Sequence, residues 1–220
     1  MQKIGEIMYK VCDSLIEKAQ KKEKSNRNFN LFLAILVLLM VTFFVFTNYI
    51  FISVYVDGDS MCPTLSDGNV LFANKNITPE EGDIIVIDGE KEKLDGSGYD
   101  WLIKRAIVIG QKDKTIIVEI RDNSVWVGEE GQELKVLVED YLPQGTETTP
   151  MPPDFGCRWE ITEGEIFYLG DNRADSKDSR SEYGTCSVEQ VVGVVPEWAL
   201  SVRGISRFLF DVGQFFANLF

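Results

Sequence analysis

Three short segments of this chain hold residue types that can do chemistry. The first is Asp57-Gly58-Asp59-Ser60-Met61-Cys62-Pro63-Thr64-Leu65, a serine in a Gly/Asp-rich turn. The second is Trp101-Leu102-Ile103-Lys104-Arg105-Ala106-Ile107-Val108, where Lys104 interrupts an apolar run. The third is Gly170-Asp171-Asn172-Arg173-Ala174-Asp175-Ser176-Lys177-Asp178-Ser179-Arg180, dense in carboxylates, guanidinium groups and hydroxyls. The chain has no histidine. That removes every Ser-His-Asp or Cys-His nucleophile and every His-ligated metal site. A general base must then come from Lys, carboxylates, Tyr or Cys. A water-exposed lysine is protonated at neutral pH, with a reference pKa of about 10.4. Burial disfavours the ammonium, and a neutral amine can take the proton of a serine hydroxyl. Each segment also has a plainer reading: a turn serine, a lysine that blunts an edge strand, and a solvated polar loop.

Such residues need elements to hold them. After residue 57 the pattern is short β-like runs broken by Gly, Asp, Asn and Pro. Val70–Phe72, Ile84–Ile87, Ile103–Ile109, Thr115–Ile120, Ser124–Val127, Ile166–Leu169 and Val191–Val195 are rich in β-branched and aromatic residues. No sustained helical stripe occurs between Asp57 and Pro196, so the expected core is all β. Alternation puts Leu102, Lys104 and Ala106 on one face of their strand, and Ile103, Arg105 and Ile107 on the other. Residues 115–163 read as an insertion containing an exposed Pro/Thr/Gly-rich loop, Pro143–Pro153.

Before this domain lies an apolar stretch. From Leu31 to Phe46 the only non-hydrophobic residue is Thr42, and Asn28 to Val56 carries no charge. A helix crosses a bilayer core with about 20 apolar residues. A cleaved signal would have an apolar region of about 7–15 residues followed by small residues, whereas here Ile52-Ser53-Val54-Tyr55-Val56 follows. The expectation is an uncleaved anchor. Lys18, Lys21, Lys22, Lys24 and Arg27 precede it, and Asp57 and Asp59 follow it, which predicts a cytoplasmic N-terminus. Two amphipathic segments flank the whole: Ile4, Ile7, Met8, Val11, Leu15 and Ala19 share one helical face, as do Ile205, Phe208, Leu209, Val212, Phe216 and Leu219. The second is interrupted by Arg203, Arg207 and Asp211. It reads either as a helix in the membrane interface or as one packed on the domain.

Composition sets outer bounds. The 220 residues are 45% hydrophobic and 26% charged, an ordinary globular balance. Residues 1–28 hold seven Lys or Arg against four Asp or Glu, while residues 57–220 hold 15 against 31. A net charge of −13 argues against binding a nucleic-acid backbone. Cys12 falls before the span and Cys62, Cys157 and Cys186 after it, with no Cys-x-x-Cys, so a four-thiolate zinc site is not expected. Whether Cys157 and Cys186 pair is left open by the sequence.

Taken in order, Gly-Asp-Ser-Met-x-Pro-Thr just after the span, Gly82-Asp83-Ile84-Ile85-Val86, Ile103-Lys104-Arg105 and Gly-Asp-Asn-Arg-x-x-Ser-x-Asp-Ser-Arg resemble the bacterial type I signal peptidases. The likeness runs from about Val54 to Val195 and includes Trp159-x-Ile161-x-x-Gly164. The resemblance implies Ser60 as nucleophile and Lys104 as general base. It implies Ser176 as the hydroxyl orienting the amine, Asp178 and Arg180 as a supporting ionic pair, and the Ser60 N–H as an oxyanion donor. Some family members add a serine hydroxyl two residues before the nucleophile; that supporting position is Gly58 here and lacks the donor. Met61 and Pro63 would lie at the substrate cleft and membrane surface. The family usually follows Lys-Arg with a Gly-x-Pro-Gly-Asp turn, whereas this chain continues Ala106-Ile107-Val108-Ile109-Gly110-Gln111-Lys112-Asp113.

The expected organisation is a cytoplasmic amphipathic and basic segment (1–28), a transmembrane helix (29–56), a mostly β catalytic core (57–114 and 164–197), a small inserted β subdomain (115–163) and a C-terminal amphipathic segment (198–220). The implied activity is cleavage of signal peptides from exported preproteins at the outer face of a bacterial plasma membrane. Signal peptides and the lipid bilayer are the expected partners, with no nucleic acid, metal or other cofactor. The alternatives are a self-cleaving Ser/Lys regulatory protease and an inactive membrane-tethered peptide-binding module of the same fold.

Overall fold

The structure, a computed structural model, describes residues 2–89, 101–151 and 157–202. It divides into two units, one ending at Tyr49 and one starting at Ile50.

The first unit is a single continuous helix, α1 (Gln2–Ile50). Within it, Gln20–Val45 is long and apolar enough to cross a membrane. Its 26 residues span about 39 Å at about 1.5 Å per residue, against a hydrocarbon core of about 30 Å. Thr42, the polar interruption, donates its hydroxyl to the Leu38 carbonyl at 2.8 Å, which satisfies it inside the helix.

In the second unit the order is β1 (Phe51–Tyr55), β2 (Val70–Asn74), β3 (Ile84–Asp88), β4 (Trp101–Ile109), β5 (Ile116–Arg121), β6 (Ser124–Glu129), β7 (Lys135–Val136), β8 (Arg158–Ile161), β9 (Glu165–Leu169), β10 (Cys186–Ser187), β11 (Val191–Val195) and α2 (Glu197–Ser201). The strand β1 corrects the reading of 29–56 as wholly helical. Phe51–Tyr55 pair antiparallel with β2, Tyr55 opposite Val70 and Phe51 opposite Asn74. An apolar run by itself does not separate the end of a span from a buried strand. Here β-branched and aromatic residues facing a partner strand decide it. From residue 203 onward, the expected C-terminal amphipathic segment lies outside the described residues.

All pairings are antiparallel. Seven strands form one sheet in the order β1-β2-β11-β3-β4-β9-β10, and four form a second in the order β7-β6-β5-β8. The second sheet draws on residues 116–161, within the stretch expected as an insertion. It packs on the first through Val118, Val125 and Ile161 against Ile107, Phe167 and Leu169, all buried, with the Trp159 and Phe167 rings 5.0 Å apart. A second core joins Val54, Leu71, Ala73 and Ile84 to Met61 and Leu65 of the loop between β1 and β2. The residues after Lys104-Arg105 do not turn. They continue β4 to Ile109, with a pairing irregularity against β9 between Ala106 and Val108.

Candidate active site

The loop between β1 and β2 is closed at its base: Val56 N–H donates to Asn69 O and Gly68 N–H to Val56 O, each at 2.9 Å. At its tip Cys62 N–H reaches Asp59 O at 3.0 Å and Leu65 N–H reaches Met61 O at 2.9 Å. Met61 and Leu65, 1% and 0% exposed, plug this turn into the core. Met61 is therefore an anchor beneath the turn, a correction to the surface position that the resemblance implied; Pro63 is exposed. Gly58 has φ +90°, with open space where a Cβ would go. Backbone conformation, not room, favours glycine there.

Ser60 sits on this turn, and Lys104 comes to it from β4. The Lys104 Nζ donates to Ser60 Oγ at 2.8 Å and to its neighbour Ile103 O at 3.0 Å. β4 lies between β3 and β9, so Lys104 is not an edge-strand lysine. It stands opposite Ile85 of β3 and is 4% exposed. Burial lowers its pKa from 10.5 to about 8, against the opposing pull of the Asp178 and Asp171 carboxylates. At pH 7 about a tenth of such amines are neutral.

The loop after β9 fastens the turn to the strand. Asn172 donates its N–H to Ser60 O at 3.0 Å and its side-chain amide to Asp59 O at 3.1 Å. Asp171 accepts Thr64 Oγ1 at 2.6 Å and a two-pronged contact from Arg105, Nε at 2.8 Å and Nη2 at 2.6 Å. Arg105 also donates to Gly82 O at 2.7 Å. Thus the neighbours Lys104 and Arg105 do different jobs, one at Ser60 and one at Asp171. Asp178 is held by Arg180 through Nε and Nη2, both at 2.8 Å, and accepts Gly170 N–H at 3.0 Å. Two-pronged arginine–carboxylate contacts fix orientation as well as charge.

Ser176 is 4% exposed, and its Oγ has no hydrogen-bond partner. It lies against Gly170, where an added Cβ would fall 2.2 Å from Ser176 Oγ and 2.4 Å from Ser60 O. The hydroxyl implied to orient Lys104 is thus beside the site without bonding to the amine. Cys62 Sγ contacts Asp59 Oδ1 at 3.4 Å. Cys157 is exposed and Cys186 is buried, and no disulfide joins them. Among the described residues, no cluster of three or more His, Cys, Asp or Glu suits a metal ion.

Sequence reasoning picked out Ser60, Lys104, Ser176, Asp178 and Arg180, and missed Thr64, Gly170, Asp171, Asn172 and the separate role of Arg105. All five lie inside the three segments already singled out. A carboxylate, an amide and a hydroxyl at these positions were a legible signal of hydrogen bonding, but not of which group meets which. It also missed Glu139, Tyr141 and Thr148, which reach this loop from the insertion. Thr148 is 2% exposed inside a stretch expected to be an exposed loop; it accepts a hydrogen bond from Arg173.

The chain matches the signal peptidase, peptidase S26, family over residues 28–198. It is 31% identical over 170 residues to signal peptidase I T of Bacillus subtilis (strain 168), covering 73% of this chain and 77% of that one. It is 33% identical over 190 residues to signal peptidase I of Bacillus caldolyticus, covering 80% and 91%. A crystal structure of a signal peptidase I from Enterococcus faecalis V583 aligns with 55% of this chain and 98% of that chain, at 26% identity and a TM-score of 0.37.

Proposed function

This chain belongs to the signal peptidase, peptidase S26, family, a serine endopeptidase cleaving signal peptides, and from that premise we propose that Ser60 and Lys104 perform the cleavage. The observation that carries the reading is the 2.8 Å contact between Ser60 Oγ and the buried Lys104 amine.

Neutral Lys104 takes the hydroxyl proton as Ser60 Oγ bonds to the scissile carbonyl carbon. The carbonyl π electrons move to oxygen. The Ser60 N–H, which donates to no other described residue, would receive that oxyanion. As the intermediate collapses, the C–N bond breaks and the Lys104 proton passes to the departing amine, the new N-terminus of the mature protein. The signal peptide is left as an ester on Ser60. Lys104 then takes a proton from water as its oxygen attacks the ester carbon. The proton returns to Ser60 Oγ, and the signal peptide leaves with a free carboxylate.

A bound substrate would exclude water from Lys104 and push its pKa further down. The family resemblance implies small residues at the first and third positions before the cut, which shallow pockets beside an extended substrate chain would select. Lys18, Lys21, Lys22, Lys24 and Arg27, just before the uncharged apolar stretch, favour a cytoplasmic N-terminus and a catalytic domain on the outer face of a bacterial plasma membrane. Confinement of enzyme and preprotein to one surface raises their effective concentration.

The test is cleavage of a preprotein in detergent by the full chain and by Ser60→Ala and Lys104→Ala. Both variants should lose cleavage while keeping the far-UV spectrum and Tm of a folded domain. Full activity in either rejects the dyad.

A further inference from the structure

The inserted small-sheet subdomain sends one segment, residues 139–149, back to the site loop. There it meets three arginines. Arg173 donates Nη1 to Glu139 Oε2 at 3.0 Å, Nη2 to Glu139 Oε1, Nη1 to Thr148 Oγ1 and Nη2 to Tyr141 Oη at 3.3 Å. The Arg105 guanidinium stacks 4.0 Å above the centre of the Tyr141 ring, while the Tyr141 hydroxyl donates to Glu139 Oε1 at 2.5 Å. Arg180 donates Nη1 to Thr149 O at 3.1 Å and to Arg173 O at 2.9 Å. All three arginines are buried, at 7%, 3% and 1% exposure. Resting on the reading of Ser60 and Lys104 as the peptidase dyad, we propose that residues 139–149 form a positioning strap: they hold Arg105 on Asp171 and Arg180 on Asp178, and so keep both carboxylates neutralised.

The physical reason is charge bookkeeping in a site of low dielectric. The carboxylates that act on Lys104 are Asp171 and Asp178, both from the loop after β9. Each carries its own arginine, Arg105 from the strand of Lys104 itself and Arg180 from the same loop. The other neighbours, Ile85 of β3 and the Ser60 hydroxyl, carry no charge at neutral pH. Were Arg105 to swing away, Asp171 would favour the ammonium form of Lys104, and one nearby positive charge would be lost. Both changes act in the same direction. The aromatic face of Tyr141 and the Glu139 carboxylate are what the insertion supplies to prevent it. These residues touch no reacting atom; they act through the arginines.

The experiment uses the full chain in detergent. The Lys104 midpoint is read directly from isotope-labelled lysine by NMR, beside pH profiles of preprotein cleavage and Tm. Tyr141→Leu removes the ring from Arg105 and should raise the midpoint by about one unit. That costs about tenfold in rate on the acidic side and recovers at high pH, with KM within about twofold. Tyr141→Phe keeps the ring and should stay near wild type. Glu139→Gln should also raise the midpoint; loss of a carboxylate by itself would lower it, so a rise reports freed arginines. Val138→Thr, at a side chain 76% exposed on the same segment's approach, serves as the unchanged control. An unshifted midpoint in folded Tyr141→Leu and Glu139→Gln overturns the strap, as does an equal rate loss at every pH. If Tyr141→Leu does not fold, Glu139→Gln alone decides. Ser60→Ala separates the two readings: if it still cleaves, the dyad falls, while the NMR midpoint continues to judge the strap.

Discussion

Gly170 and Ser60 approach so closely that a Cβ on the glycine would lie 2.4 Å from the Ser60 carbonyl oxygen. Ser60 O in turn accepts the Asn172 N–H at 3.0 Å, so glycine and amide together set how far the Ser60 turn stands from the loop after β9. Gly170→Ala must push that turn outward. Misplacement by about 1 Å costs about a hundredfold in rate, and overpacking costs about 1–3 kcal/mol in stability. The check is kcat and Tm together; an alanine variant with wild-type kcat would show that the turn tolerates the shift.

Lys104 makes activity depend on pH with a definite sign. Its pKa is about 8; if the neutral form is the base, as proposed, the rate should rise with pH through that value and fall about tenfold per unit below it. Substrate binding moves the midpoint of kcat below that of kcat/KM, because covering the amine disfavours its charge. A kcat/KM profile flat between pH 6 and pH 9 contradicts a lysine base.

The same lysine should cost the fold stability. Its folded pKa lies below the unfolded 10.5, so the unfolded chain binds more protons and stability rises with pH between about 8 and 10.5. Lys104→Met removes that cost and should stabilise the domain at pH 7 by up to about 3 kcal/mol while abolishing cleavage. Denaturant midpoints at pH 7 and pH 10 test this, the difference between variant and wild type shrinking at the higher pH.

Asp171 joins three elements through Thr64, Arg105 and its own loop. Asp171→Asn leaves the Arg105 charge buried without a carboxylate, which costs about 3–5 kcal/mol. Thr64→Val removes one neutral-to-charged hydrogen bond and should cost about 1.5–3 kcal/mol. The ordering of these two losses, measured by urea unfolding, distinguishes an ionic hub from a simple loop contact.

No disulfide joins Cys157 to Cys186, so reductant should leave Tm unchanged and thiol titration of the denatured chain should find both reactive. Protection of both against alkylation under non-reducing denaturing conditions would reveal a bond between them.

What the sequence determined by itself is local. The absence of histidine left lysine as the simplest partner for a serine, and β-branched runs marked β2 to β6, β9 and β11 to within a few residues. The apolar stretch marked a helix able to cross a membrane. Each of these signals is carried by consecutive residues, because periodicity and side-chain chemistry act over a few positions. Tertiary structure decided where such signals end or meet. Phe51–Tyr55 extend the apolar run and became a strand only because β2 lies alongside. Met61 left the surface because the turn needed an anchor in the core. Lys104 acquired its lowered pKa from burial between β3 and β9, where its apolar neighbours in sequence could equally have marked an edge strand. The Tyr141 ring met Arg105, 36 positions earlier in the chain, because two sheets pack together. Contacts of that kind depend on chain closure and packing, which residue order constrains but does not spell out.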